Sequence, residues 1–493
     1  MELNAEQLYV IQRVKDKQSV FYTGSAGTGK TFLLSKIIEN LRGEYGDKFS
    51  EKVAVTAMTG IAATHIDGTT INYALGLGQV SNYGGMKSMM FRKPARDRIR
   101  AYEVMIIDEV GMLSAEMLEF VEPLLRQVRG NQRPAGGLQL VLCGDFFQLP
   151  PVFKRPYNAP HKDDFLNFGF AFQAPAWNAC FPAESVVRLN KIYRQSDEEF
   201  AFELNCIRTG DDAQGALRRL QAECSRPVQT ADGIKPTRLF AKNIDVDRMN
   251  NIELGELPGE AHSFSANDSF KPVKAHKEVV KADNGSNFKQ FSVGEQILLK
   301  RGAQVMLIKN LDPVNGLANG SRGVVTGFVD KYGAAADEDQ FALVREFKGD
   351  LVPMVRFMNG QILPILPAAF VKEVNHVGAY RRVQLPLKLA WTMTIHKSQG
   401  LTLDAVQVSL SGMFAHGQVY VALSRARSKE GLQIVDCDNF VLNVDAEVKA
   451  FYDVYSPTAD TTPWGKYCKW RWGSDRAWSG SEILAWLSKP ADG

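Results

Sequence analysis

Gly24-Ser25-Ala26-Gly27-Thr28-Gly29-Lys30-Thr31 sets glycines, a lysine and a hydroxyl at the spacing that phosphate chemistry uses. Glycines let successive backbone N–H groups curl around phosphate oxygens, and a helix start just beyond adds a favourable dipole. In such a loop Lys30 reaches the β- and γ-phosphates, and the Thr31 hydroxyl can hold Mg²⁺. A glycine-rich turn with a solvated lysine is the plain alternative. The apolar run Ser19-Val20-Phe21-Tyr22 before the loop and the helical pattern Phe32–Leu41 after it argue against that. A nucleoside triphosphate is the expected ligand.

Two further segments end apolar runs in polar tips. In Met105-Ile106-Ile107-Asp108-Glu109, Asp108 would serve the Mg²⁺ shell and Glu109 would orient or deprotonate an attacking water. Taken alone, the segment also reads as a strand with a solvated acidic end. Leu140-Val141-Leu142-Cys143-Gly144-Asp145-Phe146-Phe147-Gln148-Leu149-Pro150-Pro151 is another buried strand, with Gln148 placed to contact a γ-phosphate. Its two phenylalanines suit either base stacking or core packing.

These tips need a scaffold that aligns them. Short β-type runs at Val20–Tyr22, Val53–Ala57, Val104–Ile107, Leu138–Cys143 and Ser185–Leu189 alternate with helical patterns. That alternation predicts an α/β fold with a parallel sheet, functional residues lying just past the C-terminal strand ends. Between Gly68 and Arg100 it breaks into Gly, Met and basic residues, read as an insertion at about 69–100. A first domain is expected over 1–185 and a second α/β domain over 186–310 and 386–455, with strands at Arg238–Ala241, Ala405–Val408 and Leu432–Val435. Between them, residues 311–385 hold short runs (Gly323–Val329, Val352–Phe357, Ile362–Leu366) punctuated by Asn315-Gly316, Asn319-Gly320 and Asn359-Gly360, which predicts a small β insertion.

Composition sets outer bounds. A length of 493 residues suggests about three domains. A net charge of +3 is too mild to indicate nucleic acid by itself. Six scattered cysteines without a CxxC pair suggest free thiols in a reducing compartment. The N-terminus reads as neither signal nor transit peptide, and no apolar run reaches the length of a membrane span. A soluble intracellular protein is expected, cytoplasmic in a bacterium or virus-infected cell and nuclear in a eukaryote. Residues 456–493 crowd Trp464, Trp470, Trp472, Trp478 and Trp486 among Lys466, Lys469 and Arg471. Such interleaving suits single-strand stacking, a partner-protein groove, or docking on the core.

The loop, the Asp-Glu strand and the Gly-Asp-Phe-Phe-Gln-Leu-Pro-Pro segment resemble motifs of superfamily 1 DNA helicases, specifically the Pif-type branch and its RecD-like relatives. Five more segments extend the resemblance from residue 3 to about residue 435. Leu3-Asn4-Ala5-Glu6-Gln7 resembles the adenine-reading motif, with Gln7 as base contact. Thr56-Ala57-Met58-Thr59-Gly60-Ile61-Ala62-Ala63 resembles the first DNA-contact motif. Leu189–Gln195, running to Asn205–Gly210, resembles the branch's signature segment. Thr394–Thr402 and Tyr420–Arg427 resemble the fifth and sixth helicase motifs.

The resemblance implies two RecA-like domains, a wedge insertion in the first and an SH3-like β insertion in the second. It also implies an ATP- and Mg²⁺-dependent DNA helicase moving 5′-to-3′ on single-stranded DNA, monomeric, serving replication, recombination or repair, telomere maintenance included. The rival is a translocase that displaces bound proteins without strand separation. Arg194 and Arg425 become arginine fingers contributed by the second domain across the cleft, and such a charge is worth about 10³–10⁵ in rate. Thr56, Thr59 and Gly60 in the first domain and His396, Ser398 and Gln399 in the second match DNA-contact positions. Phe146 and Phe147, with Pro150, are the candidates for contacting bases. His396 also reads as a packed core histidine. Where the family commonly has a histidine after Gly68-Thr69-Thr70-Ile71, this chain has Asn72, still a donor for DNA. Lys87, Arg92, Lys93, Arg96, Arg98 and Arg100 lie in the expected wedge, which would meet a single-strand/duplex junction. A solvated basic helix face is the alternative reading there.

Overall fold

The computed structural model describes residues 3–77, 83–151, 169–195, 197–228, 234–241, 243–272, 288, 291–312, 317, 320–335, 337–374 and 378–454. The Trp-rich stretch 456–493 expected from the sequence lies outside them, as do Asn315-Gly316 and Asn319. The chain divides into two units. One is Met1–Arg219 with Phe414–Ser424 and Val441–Gly493, and the other is Leu220–Met413 with Arg425–Phe440.

The first unit is built on β1 (Val20–Gly24), β2 (Val53–Ala57), β3 (Thr69–Thr70), β4 (Val104–Asp108), β5 (Gln139–Gly144) and β6 (Val186–Leu189). They form one sheet in the order β3-β2-β4-β5-β1-β6, and every pairing in it is parallel. Strands β1, β2, β4 and β5 are buried along their whole length. Continuous Val/Ile/Leu runs, rather than alternating ones, are what a sheet covered on both faces requires. On one face Val20, Tyr22, Ile106 and Val141 pack with α1 (Ala5–Lys15) and α2 (Lys30–Tyr45). On the other, Phe21, Ile107 and Leu142 meet Val121, Leu124 and Val128 of the helix Ala115–Arg129. Asn4 starts α1 with a capping box, its side chain accepting from Gln7 N while the Gln7 side chain accepts from Asn4 N.

The insertion after β3 is helical: Ile71–Ala74, Tyr83–Met90 and Lys93–Ala101. Met86, Met90, Ala95 and Ile99 anchor it by burial. Arg98 donates to the carbonyls of Tyr73 and Ala74, and Arg100 to that of Val128, so these two cations are committed to the fold. Phe91, Arg92 and Lys93 stay exposed where the two longer helices meet.

The expected boundary at residue 186 does not hold. β6 pairs with β1 (Thr23↔Arg188, Gly24↔Leu189) as the edge strand of the first sheet. Residues up to Arg219, with 414–424 and 441–454, belong to this same unit. The reason is the register of β6, whose Val187 and Leu189 extend the core that β1 begins.

The second unit holds a four-stranded parallel sheet in the order Thr392–Thr394, Thr237–Phe240, Val406–Ser409, Leu432–Val435. It also holds a five-stranded antiparallel sheet. The Asn359-Gly360 turn joins two of its strands, Leu351–Phe357 and Ile362–Pro364, with Gly360 at φ +86°. This sheet runs past the expected 311–385 limits: Gln304–Leu307 pairs with both Arg322–Asp330 and Leu387–Leu389. A short helix, Glu338–Glu346, interrupts it; the sequence reading had no helix there.

Candidate nucleotide and nucleic-acid site

The C-terminal ends of β1, β4 and β5 carry the three polar tips. Because β5 lies between β1 and β4, the Gln148 loop is flanked by the phosphate loop on one side and Asp108-Glu109 on the other. Gly27 (φ +86°) and Gly29 (φ +81°) take left-handed backbone, which a side chain would strain. Neither has room for one. A Cβ on Gly27 would stand 2.6 Å from Arg194 Cβ, and one on Gly29 would stand 3.1 Å from Gln7 Nε2. Tyr193 N donates to the Gly27 carbonyl at 2.8 Å, fastening the segment after β6 along the loop.

Lys30 is half-buried at the start of α2 and donates to the carbonyls of Gly24 (2.7 Å) and Ser25 (3.0 Å). Burial pulls its pKa down, countered chiefly by the charge of Asp145. Thr31 is exposed one residue on. Asp108 ends β4 only 9% exposed, accepting from Glu109 N at 2.9 Å. Burial raises its carboxyl pKa, against the pull of that hydrogen bond, the Cys143 thiol and Lys30. Glu109 sits at φ +55°, ψ 43°, left-handed backbone that a non-glycine residue adopts at a cost of about 1–2 kcal/mol. Strain of this kind concentrates where a side chain must be aimed.

Gln7 is 1% exposed, and its Nε2 has no hydrogen-bond partner among the described residues. Tyr193 is its neighbour over Gly29, with the ring carbon Cδ2 3.7 Å from the position a Cβ there would take. The Tyr193 hydroxyl accepts from Asn4 Nδ2 at 3.3 Å. The sequence reading named Gln7 but passed over Tyr193; an aromatic residue directly before Arg194 was the available signal.

Arg194 lies in the first unit beside the phosphate loop, not in the second as expected. Its Nη1 donates to Ser424 O at 2.9 Å. Arg425 belongs to the second unit, 2% exposed, with Nη1 directed to the carbonyls of Ser398 (3.4 Å) and Leu401 (3.3 Å). Gln148 is buried, its backbone N–H donating to Asp145 O at 3.0 Å.

Several expected DNA contacts are not available as such. Phe146 and Phe147 are core residues: Phe146 packs against Phe21, Phe172, Trp177 and Phe451, and Phe147 stacks on Tyr452 at 4.7 Å. Pro150 is buried as well. The Thr56 hydroxyl faces into the sheet and is satisfied by the Ile106 carbonyl. The Ser398 hydroxyl bonds the Ile395 carbonyl at 2.8 Å and is fully buried. In each case the backbone or core uses the group that DNA would need. Thr59, Gly60 and Asn72 remain accessible past β2 and β3, and the Thr59 hydroxyl accepts from Ala62 N. His396 is half-buried and Gln399 almost wholly so. Burial lowers the His396 pKa from its ordinary value, favouring the neutral ring.

One group of residues was not anticipated at all. Arg208 and Asp145 form a fully buried ion pair through two 2.9 Å hydrogen bonds. Tyr452, from the helix Ala446–Val454, joins it. Burial alone would raise the Asp145 pKa, but the charge and hydrogen bonds of Arg208 hold it below the usual range.

A parallel sheet with a phosphate loop, an Asp-Glu strand end and an intervening strand bearing Gln148 defines a RecA-like P-loop nucleotide-binding core. Residues 2–211 match the family model of PIF1-like helicases, and residues 289–328 match that of the DNA helicase Pif1 2B domain. Human ATP-dependent DNA helicase PIF1 is 38% identical over 452 residues, covering 92% of this chain and 63% of the human protein. The crystal structure of Pif1 helicase from Candida albicans is 36% identical with a TM-score of 0.72, covering 92% of this chain and 100% of that one. Bacteroides Pif1 in complex with ADP-AlF3 and ssDNA is 27% identical with a TM-score of 0.60, covering 93% and 99%. The chain belongs to the PIF1-like helicase family. It spans less than two thirds of the length of the curated vertebrate relatives it matches.

Proposed function

We propose that this protein is an ATP-dependent DNA helicase that translocates 5′-to-3′ on single-stranded DNA and opens duplex at a junction, in replication, recombination or repair. The observation that carries the nucleotide half is the unpaired Gln7 Nε2 beside Tyr193 at the rim of the phosphate loop. A buried donor without a partner costs about 1–3 kcal/mol, and an acceptor nitrogen of an adenine base would relieve it. The Tyr193 ring next to it offers a stacking face for the same base.

Mg²⁺ fits the donors present. It binds through one or two carboxylates and substrate phosphates, keeping several waters. The exposed Thr31 hydroxyl and the Asp108 carboxylate match that habit, and a cation nearby would offset the burial that raises the Asp108 pKa. When bound, the ion would neutralise charge on the β- and γ-phosphates. The protein's own groups do the rest. Lys30 leaves its loop carbonyls for phosphate oxygens. Glu109 aims at the attacking water, and Gln148 reads the γ-phosphate. Arg194, alongside Gly27, supplies positive charge to the transition state; Arg425 is assigned a second finger role from its motif.

For DNA, Thr59, Gly60 and Asn72 of the first unit and His396 and Gln399 of the second are the retained contacts. Hydroxyl, amide and imidazole donors grip a backbone without reading sequence, as stepping demands. Crystal structures of Bacteroides Pif1 with ssDNA support this reading. The exposed Phe91-Arg92-Lys93 turn is the proposed wedge.

The test is unwinding of two labelled partial duplexes, one 5′-tailed and one 3′-tailed, with and without ATP-Mg²⁺. ATP-dependent opening of the 5′-tailed duplex alone is the expected result, lost in Lys30→Ala. Opening of the 3′-tailed duplex alone would overturn the polarity. DNA-stimulated ATP hydrolysis without unwinding would leave a protein-displacing translocase. Replacing the exposed Phe91, Arg92 and Lys93 with alanine is expected to abolish unwinding and spare translocation.

A further inference from the structure

Tyr452 arrives from the helix Ala446–Val454, more than 400 residues after the strand it touches. Its hydroxyl lies 2.7 Å from Thr23 Oγ1, accepts from Phe146 N at 3.0 Å, and stands 3.4 Å from Asp145 Oδ1. Thr23 is the residue before Gly24, where the phosphate loop begins, and Phe146 is two residues before Gln148. One buried hydroxyl therefore ties the tip of β1 to the tip of its neighbour β5. The ring is clamped as well, stacked on Phe147 with an interplanar angle of 17° and roofed by Arg208, whose Cζ is 5.5 Å from its centroid.

We propose that Tyr452 is a positioning residue for ATP hydrolysis, its hydroxyl fixing the spacing between the phosphate loop and the Gln148 loop. This rests on the nucleotide site proposed above. Tyr452 is 3% exposed and behind both loops, so it acts through them and not on nucleotide. Parallel strand tips are held together by the ladder only up to Thr23↔Gly144. The Tyr452 hydroxyl adds a link from Thr23, the last residue of β1 paired with β5, to Phe146, two residues past the end of the ladder on the way to Gln148. Misplacement of a reacting or sensing group by about 1 Å can cost about 10²-fold in rate. Loss of this bridge should therefore appear in turnover, while nucleotide binding, which Gln7 and Lys30 supply, persists.

Tyr452→Phe keeps the ring stack and removes the bridge. In full-length protein with ssDNA, kcat for ATP hydrolysis is expected to fall about tenfold, with KM for ATP within twofold of wild type. Thr23→Val should lower kcat in the same way, and the double variant should be no worse than Tyr452→Phe alone. Val448→Ala, a core residue one turn earlier on the same helix, should lower the melting temperature and leave kcat unchanged. An unchanged kcat in Tyr452→Phe, or a fall that merely follows the folded fraction, overturns the positioning role. Loss of turnover in Lys30→Ala in that same experiment would leave the nucleotide-site reading standing while the positioning role falls. ATP hydrolysis indifferent to Lys30 would overturn both.

Discussion

Arg208 holds Asp145 through two 2.9 Å hydrogen bonds, and both side chains are within 1% of complete burial. The pair joins the helix Glu198–Thr209 to the tip of β5, directly beneath Gln148. Removing one partner of such a pair leaves an uncompensated buried charge, costing about 3–5 kcal/mol. Arg208→Met is expected to lose stability on that scale in urea unfolding. The Asp145 pKa in the folded state lies below its ordinary value of 3.8. Its contribution is therefore fully present above that value and is lost as pH falls through the lower, folded pKa. In the variant burial acts on Asp145 without Arg208 to oppose it and raises its pKa, so the gap between wild type and variant should begin to shrink above pH 3.8 and go on shrinking as the acid strengthens.

Gln7→Ala removes the unpartnered amide proposed to read the base. An increase of about tenfold in KM for ATP is expected, with KM for GTP much less affected. Steady-state hydrolysis with both nucleotides checks this; equal effects on the two would remove Gln7 from base recognition.

Glu109 is proposed to orient the attacking water and sits on left-handed backbone, so two substitutions should separate the two properties. Glu109→Gln is expected to lower ATP hydrolysis by about 10²–10⁴ at unchanged stability. Glu109→Gly relieves the left-handed strain and should be more stable by up to about 1 kcal/mol while equally inactive. A destabilised glycine variant in thermal unfolding would show that the φ of +55° carries no strain.

Burial of Phe147 and the partial exposure of Thr59 give opposite expectations for two expected DNA contacts. Phe147→Ala should cost about 3–5 kcal/mol of stability, since it empties a ring from a packed aromatic cluster. Thr59→Ala should leave stability almost unchanged and weaken binding of fluorescent oligo-dT several-fold. Loss of affinity in well-folded Phe147→Ala would restore that ring to the DNA path.

Lys388 in the second unit is pushed down to about 8, by burial first and by the charge of Lys397 second. A folded pKa below the unfolded value of 10.5 means the unfolded chain holds more protons between pH 8 and 10.5, so stability rises with pH across that window. At pH 7 the lysine is charged in both states and its burial is a net cost. Lys388→Met is expected to be more stable at pH 7, on the order of 1 kcal/mol, with the advantage gone above pH 10.5. Urea midpoints measured at several pH values decide it.

The residues that sit on strand tips were legible because their chemistry depends on local order: a strand, a glycine loop, then a helix. Gly24–Thr31, Asp108-Glu109 and Gln148 needed only their own neighbours to be recognised, and the structure brings them to adjacent parallel strands. Which face a side chain takes is a different question. Thr56 and Thr59 are three residues apart in one motif, yet one lies inside the sheet and the other at its edge. Spacing alone does not distinguish them, because β2 ends between the two at Ala57. Phe146 and Phe147 looked equally free until Trp177, Phe451 and Tyr452 surrounded them.

The sequence by itself determined the family, the phosphate chemistry and the alternation of strands and helices, since each rests on short-range order. Tertiary structure alone decided that β6 completes the first sheet and that Arg194 lies beside Gly27. It also decided that Asp145, Arg208 and Tyr452 meet under the nucleotide loops. Those contacts join residues separated by 63 to 307 positions, and no local pattern encodes partners so distant. They form because burying an ion pair and a hydroxyl is tolerable only when each finds its complement, and folding brings these complements to one place.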